Sequence, residues 1–99
     1  MRPYRNLKIA SVIGEELGKL LNREFDFGGA LVTVTSVEVG TDLLHARVKL
    51  GIIPYEKGPE VFRAIGERRG ELQHQLLRKM NIRPMPHLEF AIDTESQAT

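Results

Sequence analysis

The chain has 99 residues, with no cysteine and no tryptophan. That length suits one domain and leaves no room for two independent cores. The missing cysteines exclude disulfides, thiolate zinc sites, iron–sulfur clusters and cysteine nucleophiles together. Fourteen Lys and Arg against thirteen Asp and Glu give a net charge of +1, so bulk electrostatics name no partner.

Residues 6–25 read as a helix. Ile9, Ile13, Leu17, Leu20 and Leu21 recur at the spacing that lines one helical face. Asn6 suits the N-cap, and Glu15 and Lys19 form a favourable i,i+4 pair. Gly14 and Gly18 each weaken the helix by ~1 kcal/mol relative to alanine. Asp26-Phe27-Gly28-Gly29 breaks the helix, and Leu31–Val39 follows as a strand rich in β-branched residues. Because Gly28-Gly29 precedes a strand and not a helix, it reads as a turn rather than a phosphate cradle.

Gly40-Thr41-Asp42 supplies turn chemistry. The next segment then alternates, with Leu44, Ala46, Val48, Leu50 and Ile52 on one face and His45, Arg47 and Lys49 on the other. This is a half-buried antiparallel strand paired with its predecessor by a hairpin. Pro54 ends it, and Pro59 stands at a plausible first position of a second helix running to Met80. Phe62, Ile65, Leu72, Leu76 and Met80 form that helix's apolar stripe. Arg69 falls on the same stripe, so a straight helix would bury a charge at high cost. The helix is therefore expected to break within a residue or two of Gly70. Arg83-Pro84-Met85-Pro86 is an extended connector. Leu88, Phe90 and Ile92 alternate with polar neighbours as a third strand, whose pairing the sequence does not fix.

The order α-β-β-α-β, with the second helix broken, predicts a two-layer α+β domain in which both helices cover one face of a three-stranded sheet. Leu44, Val48, Leu50, Phe62, Leu76, Phe90 and Ile92 are its expected core residues. Residues 1–93 form the expected single domain, with 94–99 as a flexible tail. No apolar run approaches the ~18 residues that span a bilayer. The start of the chain lacks a signal peptide's apolar stretch, so a cytoplasmic location is expected.

Enzyme motifs are absent: there is no Walker loop, dinucleotide-binding glycine pattern or nucleophile elbow. His45 and His87, with Asp42 nearby, make at most an incomplete metal site, and surface histidines are the simpler reading. No metal or other cofactor is expected. Charge distribution says more than its sum. Residues 1–8 hold Arg2, Arg5 and Lys8 without an acid, and residues 57–83 hold seven cations against three acids. Such clusters on an otherwise neutral chain suit a polyanion, against the plain alternative of a solvated helix face. Tyr4 and Tyr55 are the only aromatics expected at the surface, which favours backbone and shape recognition over base stacking.

The sequence resembles the ribosome-binding factor A family of bacterial small-subunit assembly factors. The resemblance runs from Lys8-Ile9-Ala10 through Glu16, Leu20-Leu21 and Glu24. It is most specific over Val32–Val39, Asp42-Leu43 and His45–Val48, and it closes on Arg83, Pro86, Leu88, Phe90 and Asp93. It implies a KH-like (type II) fold of order α-β-β-α-(kink)-α-β, in which a helix–kink–helix replaces the usual GxxG loop. It further implies a non-enzymatic protein that binds the immature small ribosomal subunit and its rRNA and assists 5′-end maturation of that rRNA. The family's Ala-x-Gly kink reads Arg68-Arg69-Gly70 here, and its Asp-Pro-Arg segment before the first strand reads Asp26-Phe27-Gly28.

Arg2, Arg5, Lys8, Arg68, Arg69, Arg78, Lys79 and Arg83 are the candidate phosphate contacts, with Gly70 supplying the bend, and a monomer is expected. A KH-like domain with another RNA target is one alternative. A small-molecule- or protein-binding module that dimerises through its sheet edge is another.

Overall fold

In a computed structural model, residues 4–24, 27–82 and 85–94 are described. Helix α1 spans Arg5–Glu24, strand β1 Leu31–Val39 and strand β2 His45–Ile53. A 3-10 turn at Tyr55–Lys57 leads into α2 (Gly58–Glu67), α3 (Arg69–Met80) and β3 (His87–Ile92). The sheet order is β1-β2-β3. β1 and β2 pair antiparallel, whereas β3 lies parallel to β2 in the register His45↔His87 to Leu50↔Ile92. A parallel neighbour needs a crossover, which α2 and α3 supply across one face of the sheet.

The alternation of β2 explains the two layers. Ala46, Val48, Leu50 and Ile52 are buried under the helices, while His45, Arg47 and Ile53 face away from them. Ile13, Leu17 and Leu21 of α1 and Ile65, Leu72 and Leu76 of α2 and α3 complete the core. Val32 and Val34 fall on even positions, but Val37 and Val39 fall on odd ones. A bulge between Val34 and Ser36 absorbs the extra residue and keeps all four valines turned inward.

Four expected core residues sit further out. Leu44 is 54% exposed, because β2 begins only at His45. Leu43 takes a left-handed conformation (φ 65), and the Asp42 carboxylate accepts the Leu44 N–H at 3.0 Å. Those two features close the loop and turn Leu44 out of the alternation. Phe62, Phe90 and Ile92 are half-buried at the margin of the core.

Asn6 also departs from expectation. It lies inside α1, and its side-chain amide donates to the Val39 carbonyl at 3.0 Å. It pins the start of the helix to the end of β1 rather than capping it. Gly14 faces Val37 closely enough that an added Cβ would just touch it, whereas Gly18 faces open space. Gly28 (φ 63) and Gly29 (φ 87) turn the chain into β1 through conformations that side-chain-bearing residues resist. Lys57 braces that turn by donating to the Gly28 carbonyl at 2.7 Å.

Candidate nucleic-acid interface

The long second helix breaks where the misplaced charge required. Arg68, with φ −107 and ψ 15, is the non-helical residue between α2 and α3. The break therefore falls two residues before Gly70, which lies within the first turn of α3 with open space where its Cβ would stand. Arg68 makes the bend and Gly70 rides on it.

The bend gives the two arginines different surroundings. Arg68 is exposed, and its guanidinium donates to Glu71 Oε2 at 2.6 Å. Arg69 is half-buried, and its guanidinium donates to Gln73 Oε1 at 3.4 Å. Gln73 in turn binds the backbone of the chain entering β3, donating to the Pro86 carbonyl at 3.0 Å and accepting the Leu88 N–H at 2.9 Å. Arg69 thus escapes the core by joining a polar bridge between α3 and β3.

Beyond the break, Arg68, Glu71, Gln75 and Arg78 follow one another at the 3-4-3 spacing of a single helical face. Gln75 donates to the same Glu71 Oε2 at 3.3 Å. Arg78, with Lys79, opens onto a cleft of about 480 Å3 that is also lined by Leu20, Arg23 and Gln75. The cleft lies between the C-terminal halves of α1 and α3.

Lys79 is held at its edge by Glu16 of α1, 3.3 Å away, and Lys19 stands 3.6 Å from the other oxygen of the same carboxylate. The Lys79 ammonium 3.3 Å away holds the Glu16 carboxyl below the usual carboxylate range; burial opposes this, and the charge of Lys19 reinforces it. No acid is paired with Arg78 among the described residues.

Arg5 and Lys8 are exposed in the first turns of α1. Lys8 is ~22 Å along the helix axis from Arg23, so the structure does not join these two cations to the cleft. Arg2 and Arg83 lie outside the described residues. Arg23, a lining cation outside both charge clusters of the sequence, stands in the last turn of α1, and its approach to α3 depends on how the two helices cross.

His45 and His87 form a separate group on the open face of the sheet. His45 Nδ1 lies 3.0 Å from Glu89 Oε2, and the His45 and His87 rings meet edge-on with centroids 6.2 Å apart. Asp42 is engaged with Leu44 instead of joining them. Among the described residues, no three His, Cys, Asp or Glu side chains are placed to hold a metal ion. Tyr4 and Tyr55 are exposed, as expected from the sequence.

Comparison with known proteins decides the family. The family model for ribosome-binding factor A matches residues 5–99. The chain belongs to the ribosome-binding factor A family. Ribosome-binding factor A of Akkermansia muciniphila is 31% identical over 93 residues, which cover 94% of this chain and 74% of that protein. The Flavobacterium psychrophilum protein is 35% identical over 98 residues, covering 94% and 75%.

The crystal structure of ribosome-binding factor A from Thermus thermophilus superimposes with a TM-score of 0.75 at 24% identity, over 90% of this chain and 97% of that one. A homology model of the Thermus thermophilus protein, fitted into a cryo-EM map of its 30S complex, gives 0.74 at 24% identity, over 87% and 92%. The ribosome-binding factor A fold therefore holds here with arginines at the kink.

Proposed function

We propose that this protein is a non-catalytic assembly factor that binds the small ribosomal subunit through its rRNA and assists maturation of the rRNA 5′ end. Membership of the ribosome-binding factor A family, matched over residues 5–99, carries this reading. The related Thermus thermophilus protein in complex with 30S supports the choice of subunit.

The side chains on the candidate face suit the task. Arginine and lysine hold phosphate by charge and directed N–H donors, and phosphate contacts fix register on RNA without reading bases. Arg5, Lys8, Arg68, Arg78 and Lys79 remain candidate contacts, together with Arg2 and Arg83. Arg69 acts first through Gln73. We further read residues 1–93 as one binding unit that acts as a monomer in the cytoplasm, where subunits are assembled.

Co-sedimentation of the tagged full chain with ribosomal particles from cells tests the binding step, and 5′-end mapping of small-subunit rRNA after depletion tests the maturation step. The chain is expected in the fractions that hold immature small subunits, and its loss should lengthen the 5′ ends. Absence from those fractions, or unchanged 5′ ends, contradicts the corresponding half of the proposal.

A further inference from the structure

We propose that the cleft between α1 and α3 is a seat for an RNA phosphodiester, gripped by Arg23 from one helix and by Arg78 and Lys79 from the other. The inference rests on the RNA-binding reading above and locates its main electrostatic contact. The kink is the place in this sequence that departs most visibly from the family pattern. There Arg68 pairs with Glu71 and Arg69 with Gln73, one bend supplying both cations. The cleft draws three cations from two helices around one opening, Lys79 among them paired with Glu16. The opening is shallow and broadly exposed to solvent, so a backbone phosphate can lie across it without threading between the helices.

The walls favour an anion of this kind. Leu20, itself buried, floors the opening beneath the cations. Glu16 holds the Lys79 ammonium at 3.3 Å from outside the set of lining residues, which limits how far that long side chain can swing before an anion arrives. The face running from Arg68 through Glu71 and Gln75 to Arg78 then forms a track ~15 Å long from the kink to the cleft. Glu71, the acid on that track, repels a passing phosphate and sets a boundary between the kink and the seat.

The test uses the full chain, titrated at several salt concentrations with purified small ribosomal subunits and, separately, with deproteinised small-subunit rRNA. R23A/R78A is compared with R47A/R63A, which removes the same two charges from exposed positions outside the cleft. R23A/R78A should weaken binding to both targets at least tenfold, with a salt slope shallower by about one to two units. R47A/R63A should change binding less than threefold. R78Q alone, at an exposed side chain that leaves the packing in place, should show an intermediate loss and guards against a folding defect in the double variant.

Equal losses in the two double variants, or no loss in R23A/R78A and R78Q, overturn the seat while leaving the RNA-binding reading intact. A loss on subunits but not on bare rRNA places an acidic protein surface in the cleft and also overturns it. Absence of binding by the unaltered chain to either target overturns both readings.

Discussion

Gln73 of α3 binds the backbone on both sides of His87 through one side chain, accepting the Leu88 N–H at 2.9 Å and donating to the Pro86 carbonyl at 3.0 Å. His87 itself donates in the opposite direction, to the Leu44 carbonyl at 2.9 Å. The entry of β3 is therefore held from two sides, by β2 and by a glutamine standing where another strand would pair. This occupies part of an edge that would otherwise offer hydrogen bonds to a second chain. Replacing Gln73 with alanine leaves the N–H of a fully buried leucine without its acceptor, a loss expected to cost ~1–3 kcal/mol. Urea unfolding should show a lower midpoint with an unchanged slope. An unshifted midpoint would mean that water replaces the amide without loss.

Gly70 and Gly28 should respond in opposite senses to alanine. Gly70 is helical with open space where its Cβ would stand, so Gly70→Ala should leave stability unchanged or raise it by up to ~1 kcal/mol. Gly28 has φ 63, and alanine there should cost ~1 kcal/mol or more. Thermal unfolding of the two variants distinguishes a bend made by Arg68 from one that depends on the glycine, which would show as destabilisation of Gly70→Ala.

Much of this architecture is legible in the sequence because its causes are local. The apolar stripe of α1, the β-branched run of β1 and the alternation of β2 each announce their element. Arg69 on an apolar stripe was enough to require a break in the helix. The exposed Leu44 was not legible, since its orientation follows from the φ of Leu43 and from a hydrogen bond to Asp42 that the alternation conceals. The parallel pairing of β3 and the convergence of Arg23 and Arg78 on one opening were equally hidden. Both depend on how distant segments pack, and no residue pattern within either segment encodes it.

Glu16 should make the protein sensitive to acid. Its carboxyl is held below the usual range, first by the paired Lys79 ammonium, so the folded state binds its proton less readily than the unfolded state. The resulting stabilisation is present above the unfolded pKa of ~4.3 and fades as pH falls through the lower folded value. Glu16→Gln should therefore flatten the acid limb of the stability–pH curve. A limb identical to that of the unaltered protein contradicts an ion-pair role for Glu16.

Leu76 is fully buried between the helices and the sheet. Leu76→Ala should cost ~2–5 kcal/mol, the range for well-packed core sites. Leu44→Ala, at a largely exposed side chain, should stay within about ±0.5 kcal/mol. Chemical denaturation of the pair checks the displacement of Leu44 from the core directly, and comparable losses would return it there.

Contact with the small ribosomal subunit through phosphate makes binding by this chain depend on salt. The most direct measurement is the affinity of the full chain for purified small subunits as a function of salt. With two to four cations neutralising phosphates, log K should fall against log salt with a slope of about −1.5 to −3.5. Binding of undiminished strength across that salt range would contradict it.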